Sequence, residues 1–391
     1  MSAQFVPAAE ARPETFAVRA ADHIDRGRRR GQELRTGIGS ALSAYRRYFS
    51  HLSITEADVR SAAASSWARL QEWSPPAAEE VEAVAAGAGI ETTELMEIIA
   101  RTEIMTQAEA AQTECSTLSS TCPGASVAAQ NWDWAADFST LWHINDVGAV
   151  PGQHRHVGIA EYGMLGKIGL NEAGVGVLLN ILKHTDDGPG GVPIHMILDR
   201  VLCEADSLNE ALEIIHSAPT SSSSIITVIT AEAAVQVEIA AGAKRERRAG
   251  ADGFLIHTNH FLHPDLLDGA LELRPDSTSR ARHRHLEEAV ARFEAERVGA
   301  DRAADARNEA APADGGADAL SAAPVTIGDL TKLLTSGPEE APVCCTPAPD
   351  AAYGDRSATL ATVRIDPGRL QIDLAPGSPA EGLRGNRRFQ L

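Results

Sequence analysis

The run Glu114-Cys-Ser-Thr-Leu118, followed by Cys122-Pro-Gly124 and then Ala125-Ser-Val-Ala-Ala-Gln-Asn-Trp-Asp-Trp134, reads as strand, tight turn and alternating return strand, a β-hairpin. The text before it is helical: across Thr92–Gln107, the residues Leu95, Ile98, Ile99 and Ile104 recur at helical spacing. The chain therefore changes character at Cys115. A cysteine that opens a core hairpin is ordinarily a small buried hydrophobe. This one is followed by two hydroxyl residues, and the return strand ends in the polar and aromatic cluster Gln130-Asn-Trp-Asp-Trp134. The placement suits a nucleophile uncovered by cutting the chain before it, with the released α-amine as its base. A free thiol is mostly protonated near neutral pH, and an α-amine of pKa about 7.7–8.0 is matched to taking its proton.

Outward from the hairpin, residues 1–18 read as loosely ordered. Residues from Arg19 to about Gln112 read as helical, broken at Pro75-Pro76. Downstream, strand signals come in pairs: Val157–Tyr162 with Lys167–Leu170, then Val175–Leu182, and Ser224–Thr230 with Ala234–Ile239. Helices are predicted over Pro193–Cys203, Leu208–His216 and the charge-laced Ser279–Arg297. Gly299–Pro324, almost entirely Ala, Asp, Gly and Glu, reads as a flexible insertion with little to bury. Thr359–Ile365, Pro367-Gly368 and Arg369–Leu374 form a closing hairpin. Strands flanked by helical blocks fit a layered α+β architecture.

Composition narrows the partners. With 391 residues and a formal charge of −19, nucleic acid and anionic membrane are disfavoured as partners. No apolar run is long enough to span a bilayer, and the start, Met-Ser-Ala-Gln-Phe-Val-Pro, lacks a basic region followed by an apolar core. Five scattered cysteines form no disulfide framework, so a reduced, cytoplasmic setting is expected. No metal is expected: Cys344-Cys345 has no paired motif, and His257, His260 and His263 recur at a spacing that spreads them around a helix. Gly166-Lys-Ile-Gly and Gly174-Val-Gly lack the spacing of phosphate loops.

Several blocks carry a resemblance. Ala100-Arg-Thr-Glu-Ile104, Cys115-Ser-Thr, Gln130-Asn-Trp-Asp133, Gly166-Lys-Ile-Gly-Leu-Asn171, Gly191-Val-Pro193, His257-Thr-Asn-His260, and Asp276-Ser277 with Arg280 stand in order at sensible spacing. With Arg356 and Ala358-Thr-Leu360, they resemble the isopenicillin-N (acyl-coenzyme A:6-aminopenicillanic acid) acyltransferase family of N-terminal-nucleophile hydrolases. The resemblance implies an αββα sandwich, two antiparallel sheets between helical layers. It implies self-cleavage between Glu114 and Cys115 into a helical segment, 1–114, and a catalytic chain, 115–391, that stay associated, with the insertion near 299–324.

The resemblance also implies roles. Cys115 is the nucleophile, Asn259 the oxyanion donor, and Asp133 positions amine or substrate. Thr117 and Arg356 bind substrate, Arg356 by a bidentate contact to a carboxylate. The bland alternatives are an asparagine satisfying strand-end backbone, a carboxylate capping the hairpin, and a threonine filling a strand position. Two positions depart from the penicillin-forming members, Glu114 where they carry glycine and Asp355 where they carry serine. The function expected is acyl transfer from a small amide or thioester through an acyl-cysteine to an amine or to water. No resident cofactor is expected, though acyl-coenzyme A is admitted as a co-substrate. The rivals are a plain amidohydrolase and an uncleaved member that only binds ligand.

Overall fold

The computed structural model describes residues 6–108, 114–308, 323–348 and 350–391. Strand β1 (Thr15–Val18) precedes helices α1 (His23–Glu33), α2 (Arg35–His51), α3 (Glu56–Trp73), α4 (Pro75–Ala88), α5 (Thr92–Ile99) and α6 (Arg101–Met105). Caps account for the helix starts: Asp22 and Thr55 accept the N–H groups of Asp25 and Asp58, and prolines occupy the first turn of α4. Helices α1 and α4 pack closely because Gly31 and Gly87 face the partner backbone. A Cβ on Gly31 would fall 2.1 Å from the Val84 carbonyl oxygen.

After α6 come β2 (Ser116–Ser120), β3 (Val127–Ala135), β4 (Trp142–Val147), β5 (His156–Glu161), β6 (Ile168–Asn171), β7 (Gly176–Ile181) and the short β8 (Lys183–His184). Helices α7 (Ile194–Glu204) and α8 (Leu208–Ser217) lead to β9 (Ser224–Ile229), β10 (Ala234–Ala240), β11 (Ala243–Arg248), β12 (Phe254–His257) and β13 (Ala270–Leu271). The chain ends with α9 (Ser279–Asn308), α10 (Ile327–Leu333), β14 (Ser357–Asp366), β15 (Gln371–Pro376) and β16 (Arg387–Gln390).

Two main sheets result, ordered β1-β4-β5-β6-β7-β9-β10-β11 and β12-β2-β3-β14-β15-β16. Strands β2, β14 and β15 of the second sheet contact β5, β6 and β7 of the first. Helices α7 and α8 cover the first sheet, and α9 and α10 cover the second. The layers are therefore αββα, as expected. Trp132, Ile159, Leu178 and Ile365, all nearly fully buried, lie in the core cluster that includes residues of both sheets. Strands buried on both faces explain why β7 and β9 are mostly apolar without alternation.

Three differences from the sequence reading have physical causes. The stretch 1–18 contributes β1, which pairs parallel to β4 and so makes an otherwise antiparallel sheet mixed. The 1–114 segment is thus not wholly helical. Strand β11, Lys-Arg-Glu-Arg-Arg after Ala243, is a half-exposed sheet edge; its charges guard against edge pairing and erase the alternation that marks a strand. Helix α9 runs on through Gly299–Asn308, within the stretch read as a flexible insertion, because alanine, arginine and glutamate are good helix formers. The remainder, 309–322, lies outside the described residues.

Candidate active site

The surroundings of Cys115 follow from strand register. Strand β12 pairs antiparallel to β2 with His257 opposite Thr117. Continued two steps, that register sets Asn259 against Cys115. The Cys115 N–H donates to Asn259 Oδ1 at 2.7 Å. Strand β3 pairs on the other side of β2, with Asn131 opposite Ser116, so Trp132 stands opposite Cys115. The thiol approaches the main-chain carbonyl of Asp133 at 3.6 Å.

Arg282, on α9, ties the cluster together. Its guanidinium donates to the Cys115 carbonyl at 2.8 Å, to Ser116 Oγ at 2.8 Å and to Asn259 Oδ1 at 3.0 Å. It also pairs with the Glu114 carboxylate at 3.0 Å. Asn180, on β7 of the opposite sheet, donates to the same Cys115 carbonyl at 3.2 Å and to the His257 carbonyl at 3.3 Å. Both residues that flank the predicted cut are thereby fixed.

Glu114 shows how a bulky residue is accommodated there. Its carboxylate lies at the N-terminal end of α9, accepting from the Ser277 hydroxyl, the Thr278 N–H at 3.1 Å and the Thr278 hydroxyl at 2.6 Å. Burial alone would raise its pKa. Arg282 and these donors outweigh burial and hold it below the ordinary carboxylate range.

Each expected site residue has a definite place. Asn259 turns its carbonyl, not its amide, to Cys115, while its Nδ2 donates to the Ile181 carbonyl at 2.9 Å. Two N–H donors at Oδ1 require that orientation. Asp133 presents its main chain to the thiol, and its carboxylate takes the Thr359 hydroxyl at 2.6 Å. Burial drives that carboxyl up to about 8 against the pull of Arg282. The Thr117 hydroxyl donates to Asn180 Oδ1 at 2.7 Å, which makes it a support for Asn180. Arg356 lies apart from the cluster. Its Nε donates to the Ala351 carbonyl at 2.6 Å and its guanidinium faces Asp137 at 3.6 Å.

Two clefts approach the cluster. One, of about 460 Å³, is lined by Cys345, Arg356, Ala358 and Thr359 among others, and Thr359 connects it to Asp133. The other, of about 300 Å³, is lined by Thr102, Ala108, Ile181, Lys183 and His184 among others, and Ile181 connects it to Asn259. Cys115 itself is 5% exposed. Burial, then Asp133, push its thiol up to about 12. In the uncut chain it is an unionised thiol.

Sequence reasoning missed Arg282 and Asn180. It singled out Arg280, which lies two residues earlier on the same helix; its side chain is exposed and pairs with Glu272 at 2.7 Å. Residues two apart on a helix point in different directions. Asn180 did leave a signal, an asparagine inside the apolar run Gly-Val-Leu-Leu-Asn-Ile, since a buried amide demands partners.

Among the described residues, His156, Asp199 and Cys203 also place possible ligand atoms within 4.8 Å of one another. Arg26 reaches within 3.9 Å of Cys203 Sγ, a poor surrounding for a cation. No described helix is long and apolar enough to cross a membrane.

The family model for acyl-coenzyme A:6-aminopenicillanic acid acyl-transferase matches residues 120–309. The acyl-coenzyme A:6-aminopenicillanic-acid-acyltransferase 40 kDa form of Emericella nidulans is 33% identical over 230 residues. That match takes in 57% of this chain and 62% of the relative, so the chain spans less than two thirds of that protein's length. The resemblance drawn from the ordered sequence blocks is therefore borne out. Among solved structures, a Caenorhabditis elegans N-acylethanolamine-hydrolyzing acid amidase ortholog matches with TM-score 0.41 and 14% identity, over 71% of this chain and 100% of that one. Penicillin V acylase from Agrobacterium tumefaciens matches with TM-score 0.35 and 14% identity, over 67% and 83%.

Proposed function

We propose that the protein is a self-processing cysteine acyltransferase or amidohydrolase. The chain is cut between Glu114 and Cys115, and 115–391 then acts with its N-terminal cysteine as nucleophile. The observation that carries this reading is the Cys115 nitrogen held at 2.7 Å on Asn259 Oδ1, with the adjoining carbonyls and carboxylate tied down around it. When that nitrogen becomes a free amine, the same contact orients it beside its own thiol, the arrangement a nucleophile that carries its own base requires. The family match supports acyl transfer as the reaction class.

In turnover the thiolate attacks a small amide or thioester, the amine taking the thiol proton and passing it to the leaving group. An acyl-cysteine forms and is released to an amine or to water. Asn259 has two amide hydrogens and Ile181 takes one, which leaves the second to stabilise the oxyanion. Asp133 fixes the strand carbonyl beside the thiol. Arg356, in the larger cleft, favours a substrate that bears a carboxylate. The cytoplasm, where thiols stay reduced, is the compartment this chemistry suits.

Intact-mass measurement tests maturation: two co-purifying pieces, 1–114 and 115–391, are expected. Acyl donors supplied with and without a panel of amines, read by mass spectrometry as free acid against new amide, test the reaction. Free acid alone, insensitive to every amine, reassigns the protein as an amidohydrolase. A chain that stays whole and turns over nothing removes the enzymatic reading.

A further inference from the structure

Before the cut, Cys115 has no α-amine. Its nitrogen is an amide whose N–H points at Asn259, and it cannot accept the thiol proton. The first self-cleavage step therefore needs some other group to favour the thiolate. Three ionisable side chains act on the thiol through their charge: Asp133 on β3, Arg282 on α9 and Lys167 in the loop between β5 and β6. Asp133 opposes a thiolate when ionised. Arg282 is already engaged with Glu114, Asn259 and the Cys115 carbonyl.

Lys167 differs. It is 2% exposed, with its ammonium 3.8 Å from the centre of the Trp132 ring, and Trp132 stands across β2–β3 from Cys115. Its counter-ion, Glu161 on β5, lies at 2.6 Å but is shared. Arg101 on α6 pairs with the same carboxylate oxygen at 2.9 Å, and the Tyr45 hydroxyl of α2 takes the other. His195 on α7 faces the cluster and is kept neutral by its burial. Glu103, which faces Arg101, is raised by burial to about 7. Two buried cations thus share one fully ionised carboxylate, so positive charge is left over beside the thiol.

We propose that Lys167 is the electrostatic positioning residue of self-cleavage, its ammonium held by Glu161 and Trp132 so as to stabilise the Cys115 thiolate in the uncut chain. This inference rests on the self-processing reading above. Sulfur attacks the Glu114 carbonyl carbon, a C–S bond forms, and the carbonyl π pair moves to oxygen. Collapse breaks the C–N bond, and nitrogen takes the proton that the thiol gave up. The result is a thioester at Cys115 and a free α-amine. Water then cleaves the thioester, leaving a Glu114 carboxylate and restoring the thiol.

Burial draws Lys167 down to about 8 against the pull of Glu161. Its charge is therefore present below that pH and lost above it. The cleavage rate of the full chain, made in a cell-free reaction and shifted to buffers from about pH 5 to about pH 10, should climb with pH and level off above about 8, where each gain in thiolate is offset by loss of the Lys167 charge. Lys167→Gln and Lys167→Met should cleave at least ~100-fold more slowly at neutral pH, with a rate that keeps climbing past pH 8 and does not level off. Lys167→Arg, always charged, should keep the neutral-pH rate within about tenfold and also keep climbing past pH 8. Circular dichroism identifies which variants fold, and any one of them decides. A folded variant that keeps the wild-type rate and its levelling above pH 8 overturns the role of Lys167 while self-cleavage stands. Wild type that stays whole at every pH overturns both.

Discussion

Two buried clusters in this protein each combine a cysteine, an arginine and a carboxylate, and by residue type the one around Cys203 looks the more catalytic. Cys203, near the end of α7, lies 3.9 Å from His156 Nδ1 with Asp199 within reach, the side chains of a thiol–imidazole–carboxylate set. Cys115 instead meets Asn259 through its nitrogen and the Asp133 carbonyl through its sulfur. Yet Cys203 belongs to a helix packed against the first sheet, beside Arg26, which is bound to Glu80 at 2.7 Å and reaches within 3.9 Å of its sulfur. Neither thiol lines either of the two clefts, but Asp133 and Asn259 beside Cys115 bond to Thr359 and Ile181, which do. Cys115 sits where a strand begins, its nitrogen and carbonyl each held by side chains, with clefts on both sides of its partners. What separates them is backbone placement and an approach route, since both thiols are raised by burial.

The sharpest way to break the comparison is to exchange the cysteines' roles. Cys115→Ala should remain a single 41.4 kDa chain with no turnover, whereas Cys203→Ala should cleave and turn over within about threefold of wild type, because a small apolar side chain replaces a buried thiol. Mass spectrometry and an acyl-transfer assay read both. If Cys203→Ala stays whole while folded, the assignment is reversed.

A stability effect comes next. Arg26→Met should destabilise the chain by about 3–5 kcal/mol, because it leaves the Glu80 carboxylate buried without its partner. Urea unfolding in the Cys115→Ala background avoids interference from cleavage. In the site cluster, Asn259→Ala should reduce turnover by about 10²–10³, the usual cost of one oxyanion donor, with circular dichroism unchanged. Normal turnover would take Asn259 out of the mechanism.

The smallest effect sharpens the electrostatic side. Asp133 has its folded pKa raised to about 8, so the folded state binds its proton more tightly than the unfolded chain does. The sign follows: stability is lost as pH rises from the unfolded value of about 3.9 towards 8. Asp133→Asn, neutral throughout, should gain Tm relative to wild type as pH is raised from about 4 to about 8, while processing or turnover is impaired. Parallel melting curves would show carboxylate burial to be cheap.

Much of the fold was legible because its signals are local. The Pro-Gly turn, the apolar runs of β7 and β9 and the caps of the helices depend on neighbours in sequence. What stayed hidden was β11, whose charges suit an exposed edge and erase alternation, and β1, whose pairing with β4 is made 129 residues away. The same division holds within the site. The change of character at Cys115 marks a helix-to-strand junction in any chain. Asn259 met Cys115 only through the β12–β2 register, Asn180 only through the stacking of one sheet on the other, and Arg282, rather than Arg280, only through the direction in which α9 turns its first helical turn. The sequence by itself determined which residues alternate, turn and cap, since these follow from steric and hydrophobic preferences over a few residues. Tertiary structure alone decided which buried thiol has partners that reach the clefts and which arginine binds beside it, because side-chain direction is set by how distant elements pack.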